Sequence, residues 1–204
     1  MVLLTKNEKM KIVVVDYGAG NVYSVLSAIR RLGYQAVVSG EAAVIRSADR
    51  VIFPGVGQAS AAMKKIQQRG IDKLLPQLEI PVLGICLGMQ LMCIDTEEDK
   101  TSGLGIFPLS VKKFRDVEKV PHMGWNTIGG MQTALFKGVR EGERMYFVHS
   151  YYVPDNAFCI ARCEYGGTFA AAIAKDNFYG CQFHPEKSSQ AGERILGNFI
   201  NQLF

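Results

Sequence analysis

The sequence lacks the features that mark several large classes of protein. No apolar run approaches the roughly 20 residues of a membrane-spanning helix, and the stretch Val2–Leu4 is too short for the core of a signal peptide. Basic residues outnumber acidic ones, 23 to 19, but no basic run with interleaved aromatic residues indicates nucleic-acid binding. We therefore expect a cytoplasmic protein that binds neither membranes nor nucleic acid.

Metal and cofactor motifs are also missing. The five cysteines are odd in number and include no Cys-x-x-Cys pair, which argues against the usual zinc and dithiol patterns and favours reduced thiols. The segment Gly18–Ser24 lacks the third glycine of a dinucleotide fingerprint, and no phosphate-binding loop of the Walker type is present. The sequence thus predicts no metal and no cofactor.

The first half of the chain does contain a clear alternation of strand and helix patterns. Strands are predicted at Lys11–Asp16, Gln35–Val38, Arg50–Phe53 and Pro81–Ile85. Helices are predicted at Asn21–Leu32, at Gln58–Arg69 and from Leu87 onward. This order predicts an α/β fold with a mostly parallel central sheet flanked by helices.

The second half is dominated by shorter strand patterns with short connections. Strands are predicted at Gly105–Phe114, Glu143–Val153, Phe158–Glu164, Thr168–Lys175 and Phe178–Phe183, and a closing helix at Ser189–Leu203. We expect this half to add an antiparallel or mixed section to the fold. No linker or repeat divides the chain, so residues 10–204 are predicted to form a single domain after an N-terminal extension, residues 1–9.

The segment Pro81–Gln90 has the pattern of a nucleophile elbow, in which an apolar strand runs through Gly-x-Cys-x-Gly into a helix. A nucleophile at the tip of this crowded turn needs small neighbours two residues away, and Gly84 and Gly88 meet that need. The helix that starts after Cys86 favours a thiolate, and the backbone N–H of Leu87 can face a developing oxyanion. The alternative is a buried structural cysteine, the role we expect for the other four.

A thiol nucleophile usually needs an imidazole that a third group orients. His184 follows a strand, as Cys86 does, so both are expected at the same edge of the sheet. In an extended chain Glu186 lies on the same side as His184 and can hold one ring nitrogen. The alternative is a loop histidine beside a helix-capping acid, and for His149 a place beside the site and a packing role both stay open.

The loop after the third predicted strand is Pro54-Gly55-Val56-Gly57. The two glycines around Val56 permit an unusual backbone conformation, and an N–H group of this loop is predicted to be a second donor to the oxyanion. The alternative is an ordinary turn between a strand and a helix.

Together these segments resemble the class I, or triad, glutamine amidotransferases, and the resemblance covers residues 10–204. The chain is most similar to the glutaminase subunits of imidazole glycerol phosphate synthase. Four segments carry this narrower resemblance, namely Asp16–Asn21, Pro54–Gly57, Pro121–Asn126 and Tyr146–Tyr152. The triad positions show no departure from the family pattern.

The resemblance implies that Cys86 attacks the side-chain amide of L-glutamine, that His184 transfers protons and that Glu186 orients His184. It also implies that Gln90 and Glu98 bind the substrate. The products would be glutamate and ammonia. Ammonia would pass to a cyclase subunit with a (β/α)₈ barrel, and the heterodimer would make imidazole glycerol phosphate and an aminoimidazole carboxamide ribotide in histidine biosynthesis.

The surface toward such a partner is expected to include Pro121, His122 and Trp125, with Tyr146 and Lys187 coupling it to the site. Tryptophan is enriched at interface hot spots, although core packing is an alternative for Trp125 and a solvated cation for Lys187. The rival functions are an amidotransferase with another acceptor, a free-standing cysteine hydrolase of similar fold, and a regulatory subunit that has lost catalysis.

Overall fold

The computed structural model describes residues 10–115 and 117–201. The predicted extension at residues 1–9 and the predicted end of the last helix at residues 202–203 lie outside the described residues. The strands are β1 Ile12–Val15, β2 Ala36–Ser39, β3 Arg50–Gly55, β4 Val82–Cys86, β5 Cys93–Thr96, β6 Thr101–Ser102, β7 Phe107–Lys113, β8 His122–Thr127, β9 Arg144–His149, β10 Tyr151–Tyr152, β11 Cys159–Glu164, β12 Thr168–Lys175 and β13 Phe178–Cys181. The helices are α1 Val22–Arg31, α2 Ala42–Arg46, α3 Ala59–Gln68, α4 Ile71–Leu74, α5 Leu87–Leu91 and α6 Ser189–Asn201.

Seven strands form the central sheet, in the order β11-β12-β13-β4-β3-β1-β2. The five strands from β13 to β2 run parallel, whereas β12 is antiparallel to β13 and β11 is antiparallel to β12. The predicted α/β fold, with a mostly parallel sheet and an added antiparallel section, is therefore confirmed. The register places the ends of β3 and β4 side by side, with Gly55 opposite Cys86.

Strand β1 shows why the sheet is buried on both faces. All four of its side chains are buried, and alternate side chains face opposite layers. Ile12 and Val14 join the apolar core that α1 and α6 cover, while Val13 and Val15 join the core that α2, α3 and α4 cover. Burying one such side chain stabilises the fold by about 1.5–3 kcal/mol, which is why a continuous β-branched run predicts this strand.

The remaining strands form a four-stranded sheet, β10-β7-β5-β6, and the two-stranded pair β8-β9. The strand predicted at Glu143–Val153 is divided between them, because β9 pairs with β8 and, after a bend at Ser150, β10 pairs with β7. The helix predicted from Leu87 is only five residues long. It gives way to β5, where Ile94 and Thr96 favour extended backbone.

All five cysteines are free and buried. In residues 10–115 and 117–201, no helix combines the length and the apolar character that crossing a membrane requires. That part of the chain also contains no group of three or more His, Cys, Asp or Glu residues placed to hold a metal ion.

Candidate active site

Cys86 ends β4 in a strained backbone conformation, with φ 52° and ψ −110°. A non-glycine residue with positive φ is uncommon, and a sparsely populated conformation costs of the order of 1–3 kcal/mol. Helix α5 begins at the next residue. Cys86 therefore stands at the tip of a sharp strand-to-helix turn, which is the geometry that the elbow pattern predicts.

The two glycines that flank Cys86 are required by close packing. A Cβ atom on Gly88 would lie 1.9 Å from the carbonyl oxygen of Phe53, and one on Gly84 would lie 2.8 Å from the backbone nitrogen of Met89. Both distances are shorter than real Cβ contacts, so a larger residue at either position would push α5 away from the sheet. The turn thus needs small residues two positions before and after the cysteine.

The loop after β3 differs from its expected form at one glycine. Gly55 lies within β3 and has no positive φ, so the expectation of an unusual conformation is wrong for this residue. It is small because a Cβ atom there would lie 2.6 Å from the backbone nitrogen of Gly88. Gly57 does have a positive φ, 89°, and Val56 and Gly57 line the same cavity as Cys86 and Leu87.

His184 and Glu186 form a buried pair. Nδ1 of His184 donates to Oε1 of Glu186 over 2.8 Å, and both side chains are almost completely shielded from solvent. The segment Pro185–Lys187 is a turn of 3₁₀ helix, so the predicted extended chain is wrong, although the two side chains still meet. The backbone N–H of His184 donates to the carbonyl of Tyr146 over 2.9 Å, which fixes the histidine against β9.

Charge on the neighbouring groups decides the protonation of His184. Burial by itself would lower its pKa, but the Cys86 sulfur and the Glu186 carboxylate outweigh burial and raise the pKa to about 10. Nε2 of His184 is buried and has no hydrogen-bond partner among the described residues. The sulfur is thus close enough to the imidazole to raise its pKa.

Cys86 and His184 line one cavity of about 330 Å³, and Glu186 lies behind His184, outside its lining. The cavity is lined by Val56, Gly57, Cys86, Leu87, Gln90, Glu98, Pro121, Val148, His149, Ser150, Tyr151, His184 and Lys187. Its size falls at the lower end of the range for pockets that hold small molecules. The cavity therefore brings a thiol, an acid-paired imidazole and both predicted substrate-binding residues to one place.

Gln90 and Glu98 line the cavity, and some of their polar atoms already form hydrogen bonds within the protein. Nε2 of Gln90 donates to the carbonyl of Tyr151 over 2.8 Å and to Oε1 of Gln182 over 2.9 Å. Oε2 of Glu98 accepts a bond of 2.8 Å from the backbone N–H of Ala59. Burial raises the pKa of Glu98, and this N–H group opposes the rise.

Two polar residues of the site are absent from the sequence prediction or left open there. Gln182, which is not predicted, is fully buried and its Nε2 lies 3.7 Å from the Cys86 sulfur. His149, whose role was open, lines the cavity, and its Nδ1 donates to the carbonyl of Tyr151 over 2.8 Å. Alternation could have identified Gln182, because positions 182 and 184 share one side of an extended strand end.

Comparison with known proteins identifies the family of the chain. A family model described as glutamine amidotransferase class-I matches residues 13–203 of the chain. The chain belongs to this family. It is therefore an enzyme, and the resemblance that the sequence motifs indicate is confirmed.

Similar amidotransferases cover almost the whole chain. A protein of Bacteroides fragilis named imidazole glycerol phosphate synthase subunit HisH is 53% identical over 94% of this chain and 99% of its own length. A protein of the same name from Bacteroides thetaiotaomicron is 51% identical over 94% and 100%. Another from Colwellia psychrerythraea is 44% identical over 93% and 92%.

Solved structures share the amidotransferase fold at low sequence identity. The structure of PurLQS from Thermotoga maritima has a TM-score of 0.71 and 18% identity, and covers 96% of this chain and 99% of its own. A structure described as glutamine amidotransferase has a TM-score of 0.72 and 16% identity, over 92% and 96% of the two chains. At these identities the likeness shows the fold alone.

Beside the cavity, the amidotransferase exposes apolar side chains on one face of β8. Met123 is 68% exposed and Trp125 is 46% exposed, which reverses the usual alternation and explains why the sequence pattern does not predict this strand. The Trp125 ring packs edge-on against Tyr146, with 6.0 Å between the ring centroids. Nζ of Lys187 lies 5.8 Å from the centroid of the Tyr146 ring.

The other face of β8 corrects one predicted interface residue. The side chain of His122 is only 4% exposed, because it points inward and stacks on Phe147 and Tyr165. It therefore does not belong to the exposed surface that a partner could contact. Pro121, next to it, is exposed and lines the cavity.

A larger cavity of the amidotransferase, about 690 Å³, lies elsewhere. It is lined by Trp125, Gly138, Val139, Arg140, Glu143, Arg144, Ser188, Ser189, Gln190, Ala191 and Arg194. None of the residues predicted for catalysis or substrate binding lines it. Cys86 and His184 therefore meet in the smaller cavity and not in this one.

Proposed function

We propose that the chain is the glutaminase subunit of an imidazole glycerol phosphate synthase, which releases ammonia from L-glutamine for histidine biosynthesis. The observation that carries this proposal is a single cavity shared by a strained cysteine and by a histidine bound to a carboxylate. Relatives of that name, 44–53% identical to the chain, support the specific pathway.

In the first half-reaction Cys86 attacks the side-chain carboxamide carbon of glutamine as a thiolate, its proton having passed to Nε2 of His184. Nε2 is the nitrogen available for this transfer, because Nδ1 already donates to Glu186. The imidazolium then gives its proton to the departing nitrogen, so that ammonia leaves and a γ-glutamyl thioester remains on Cys86. Glu186 stabilises the imidazolium and fixes its tautomer.

In the second half-reaction a water molecule attacks the thioester while Nε2 of His184 takes its proton. The tetrahedral intermediate collapses to glutamate, and the thiolate of Cys86 leaves. Each half-reaction passes through a tetrahedral intermediate that carries an oxyanion, for which the backbone N–H of Leu87 and an N–H group of the loop Gly55–Gly57 are the donors that we propose. Leu87, Val56 and Gly57 line the cavity, which supports this assignment.

We assign binding of the glutamine head group to Gln90 and Glu98. The carboxylate of Glu98 faces the cavity and attracts the α-ammonium group of the substrate. Both hydrogens of Gln90 Nε2 already serve Tyr151 and Gln182, so the Gln90 oxygen is left to accept a bond from the substrate.

The proposed partner is a cyclase subunit with a (β/α)₈ barrel, bound as a heterodimer. Ammonia released into water is mostly protonated and lost, whereas release into a closed interface excludes water and keeps it nucleophilic. The surface that we assign to this partner joins Pro121 at the cavity to the exposed Trp125, with Tyr146 and Lys187 between them and the triad. We also propose that residues 10–204 form one domain and that the protein works in the cytoplasm, where its free thiols stay reduced.

The decisive experiment measures glutamate release by the purified chain alone and with a cyclase subunit and its nucleotide substrate. We expect strong activation by the cyclase and its nucleotide. Cys86→Ala should abolish glutamine use, because no other group can form the thioester, and should leave ammonia-dependent synthesis by the complex intact. Wild-type complex with added ammonium salt is the control.

The rival functions give different results in the same assay. Equal turnover with and without the cyclase would indicate a free-standing hydrolase. Complex formation without glutamate release in either case would indicate a regulatory subunit. Loss of the ammonia-dependent reaction in Cys86→Ala would show that Cys86 is structural.

A further inference from the structure

Gln182 is a fully buried polar side chain in contact with the nucleophile, and the proposed mechanism does not use it. It directly follows β13, and its backbone N–H donates to the carbonyl of Ala171 over 2.8 Å. Its Nε2 lies 3.7 Å from the sulfur of Cys86, within the range for a hydrogen bond to sulfur. Its Oε1 lies 2.9 Å from Nε2 of Gln90.

Neighbouring groups fix which end of the Gln182 amide faces the sulfur. The carbonyl of Tyr151 can only accept, so the Gln90 atom that lies 2.8 Å from it must be the amide nitrogen. That nitrogen can only donate, so the Gln182 atom facing it must be the amide oxygen. The NH₂ group of Gln182 is thereby directed at Cys86.

The hydrogen bonds between Tyr151, Gln90, Gln182 and Cys86 therefore have only one possible assignment of donors and acceptors. Tyr151 accepts from Gln90 and also from Nδ1 of His149, so its carbonyl is held from two sides. Gln90 in turn donates to Gln182, and Gln182 donates to Cys86. Rotation of the Gln182 amide would place oxygen against sulfur and nitrogen against nitrogen, which removes both bonds.

We propose that Gln182 is a further catalytic residue of the glutaminase, donating a hydrogen bond that stabilises the thiolate of Cys86. The proposal rests on the proposed function and adds a donor to the nucleophile itself. A hydrogen bond to an ionised acceptor is roughly twice as strong as one between neutral groups. Gln182 thus favours the state in which the thiol proton lies on His184, and it stabilises the thiolate again when that group leaves at the end of hydrolysis.

Other titratable groups also surround the sulfur. Those that act on Cys86 or are acted on by it are His184, Tyr17 and Cys181, and Glu186 lies behind His184. Burial, with a smaller contribution from Cys86, raises the pKa of both Tyr17 and Cys181, so these two groups stay neutral at neutral pH. Gln182 is uncharged, so replacing it with another uncharged side chain does not change the formal charge around the Cys86 sulfur.

The test is the rate at which iodoacetamide alkylates Cys86 as a function of pH, with the modified residue identified by mass spectrometry. Gln182→Met keeps the length and burial of the side chain but removes the donor. We expect the midpoint of the rate profile to move up by about one pH unit, so that alkylation near pH 7 is about tenfold slower. We also expect about a tenfold fall in kcat/KM for glutamine with the cyclase bound. The exposed Gln67→Met is the matched control and should show neither change.

An unchanged alkylation profile in folded Gln182→Met would overturn the proposal. Should that variant fail to fold, ¹⁵N NMR of the wild-type protein provides a second measurement, since the side-chain amide signals of Gln182 should shift as Cys86 ionises. These signals should stop responding in Cys86→Ala, and amide signals that do not shift in the wild-type protein would also overturn it. Both readouts are independent of glutamine turnover, so failure of this proposal is distinct from failure of the proposed function.

Discussion

Two buried histidines line the same cavity and have opposite electrostatic properties. His184 donates from Nδ1 to the carboxylate of Glu186, and its pKa is raised to about 10 against the effect of burial. His149 donates from Nδ1 to the carbonyl of Tyr151, and burial lowers its pKa to about 3. The difference shows that burial favours the neutral form of both histidines, which the Cys86 sulfur and the Glu186 carboxylate reverse at His184 and a carbonyl does not reverse at His149.

His149 belongs to a chain of neutral groups whose proton positions can be deduced. The Tyr151 atom that faces Nδ1 of His149 is the carbonyl oxygen, which can only accept, so the proton of neutral His149 lies on Nδ1. Nε2 of His149 therefore accepts from Nδ1 of His122 over 3.0 Å. Nε2 of His122 then accepts from the amide of Asn126 over 3.2 Å. Burial lowers the pKa of His122 to about 4. His149 and His122 thus form a neutral hydrogen-bonded chain beside the acid-paired His184.

The largest expected effect comes from removing the carboxylate, which leaves His184, like His149, without an acidic partner on Nδ1. Glu186→Gln should lower kcat for glutamine by about 10³–10⁴-fold, because the imidazolium loses its charged partner and the tautomer is no longer fixed. The assay is glutamate release with the cyclase bound, and the exposed Glu79→Gln is the matched control. Retention of more than a tenth of the activity would contradict the role assigned to Glu186.

The reverse change would give a neutral histidine an acidic partner. Asn126→Asp places a carboxylate beside Nε2 of His122, so we expect the pKa of His122 to rise from about 4 by about 2 units, or about 3 kcal/mol. NMR of histidine-labelled protein over a pH series measures this shift. The control is Asn156→Asp, because Asn156 contacts no histidine, and this variant should leave the pKa of His122 unchanged. If the pKa of His122 is the same in Asn126→Asp and Asn156→Asp, the added carboxylate does not control it.

A smaller effect concerns stability in acid. The folded pKa values of His149 and His122 lie below the ordinary 6.5, so the stability that depends on their neutral forms is complete above pH 6.5 and is lost as the pH falls toward 4 and 3. Each contributes a loss of about 2 kcal/mol at pH 5. His184 has the opposite sign, since its contribution is present below pH 6.5 and fades as the pH rises toward 10.

Urea unfolding of His149→Gln checks this acid limb, because glutamine can also donate to Tyr151 and accept from His122. Between pH 7.5 and pH 5, the variant should lose about 2 kcal/mol less unfolding free energy than the wild type. The loss of unfolding free energy as the pH rises toward 10 should be the same in both proteins, because His184 is unchanged. Equal losses in the two proteins would mean that His149 is already protonated at pH 5 in the folded state.

The parts of the molecule that the sequence predicts are those governed by local pattern. The apolar run of β1 and the Gly-x-Cys-x-Gly turn after β4 each carry their own signature, so the parallel sheet and Cys86 follow directly. His184 and Glu186 follow because strand ends gather at one edge of a parallel sheet, even though the chain between them is helical and not extended.

The parts that the sequence does not predict depend on neighbours distant in the chain. Strand β8 escapes prediction because Met123 and Trp125 are exposed while His122 is buried. The sequence places Gly55 in a loop of unusual backbone conformation, whereas it lies in β3 and must be small because α5 packs against it. Alternation with His184 places Gln182 on the side of the site, but only its contacts with Gln90 and Cys86 show what its amide group does there.

The positive φ of Cys86 means that the residue proposed as the nucleophile also carries backbone strain, which lowers stability. Glycine adopts such a backbone without strain, so an inactive glycine variant would gain conformational relief while losing the sulfur. A selection based on heat resistance alone would therefore enrich dead enzyme at this residue. Engineering for thermostability has to hold position 86 constant and seek its gains in the two apolar layers on either side of the sheet.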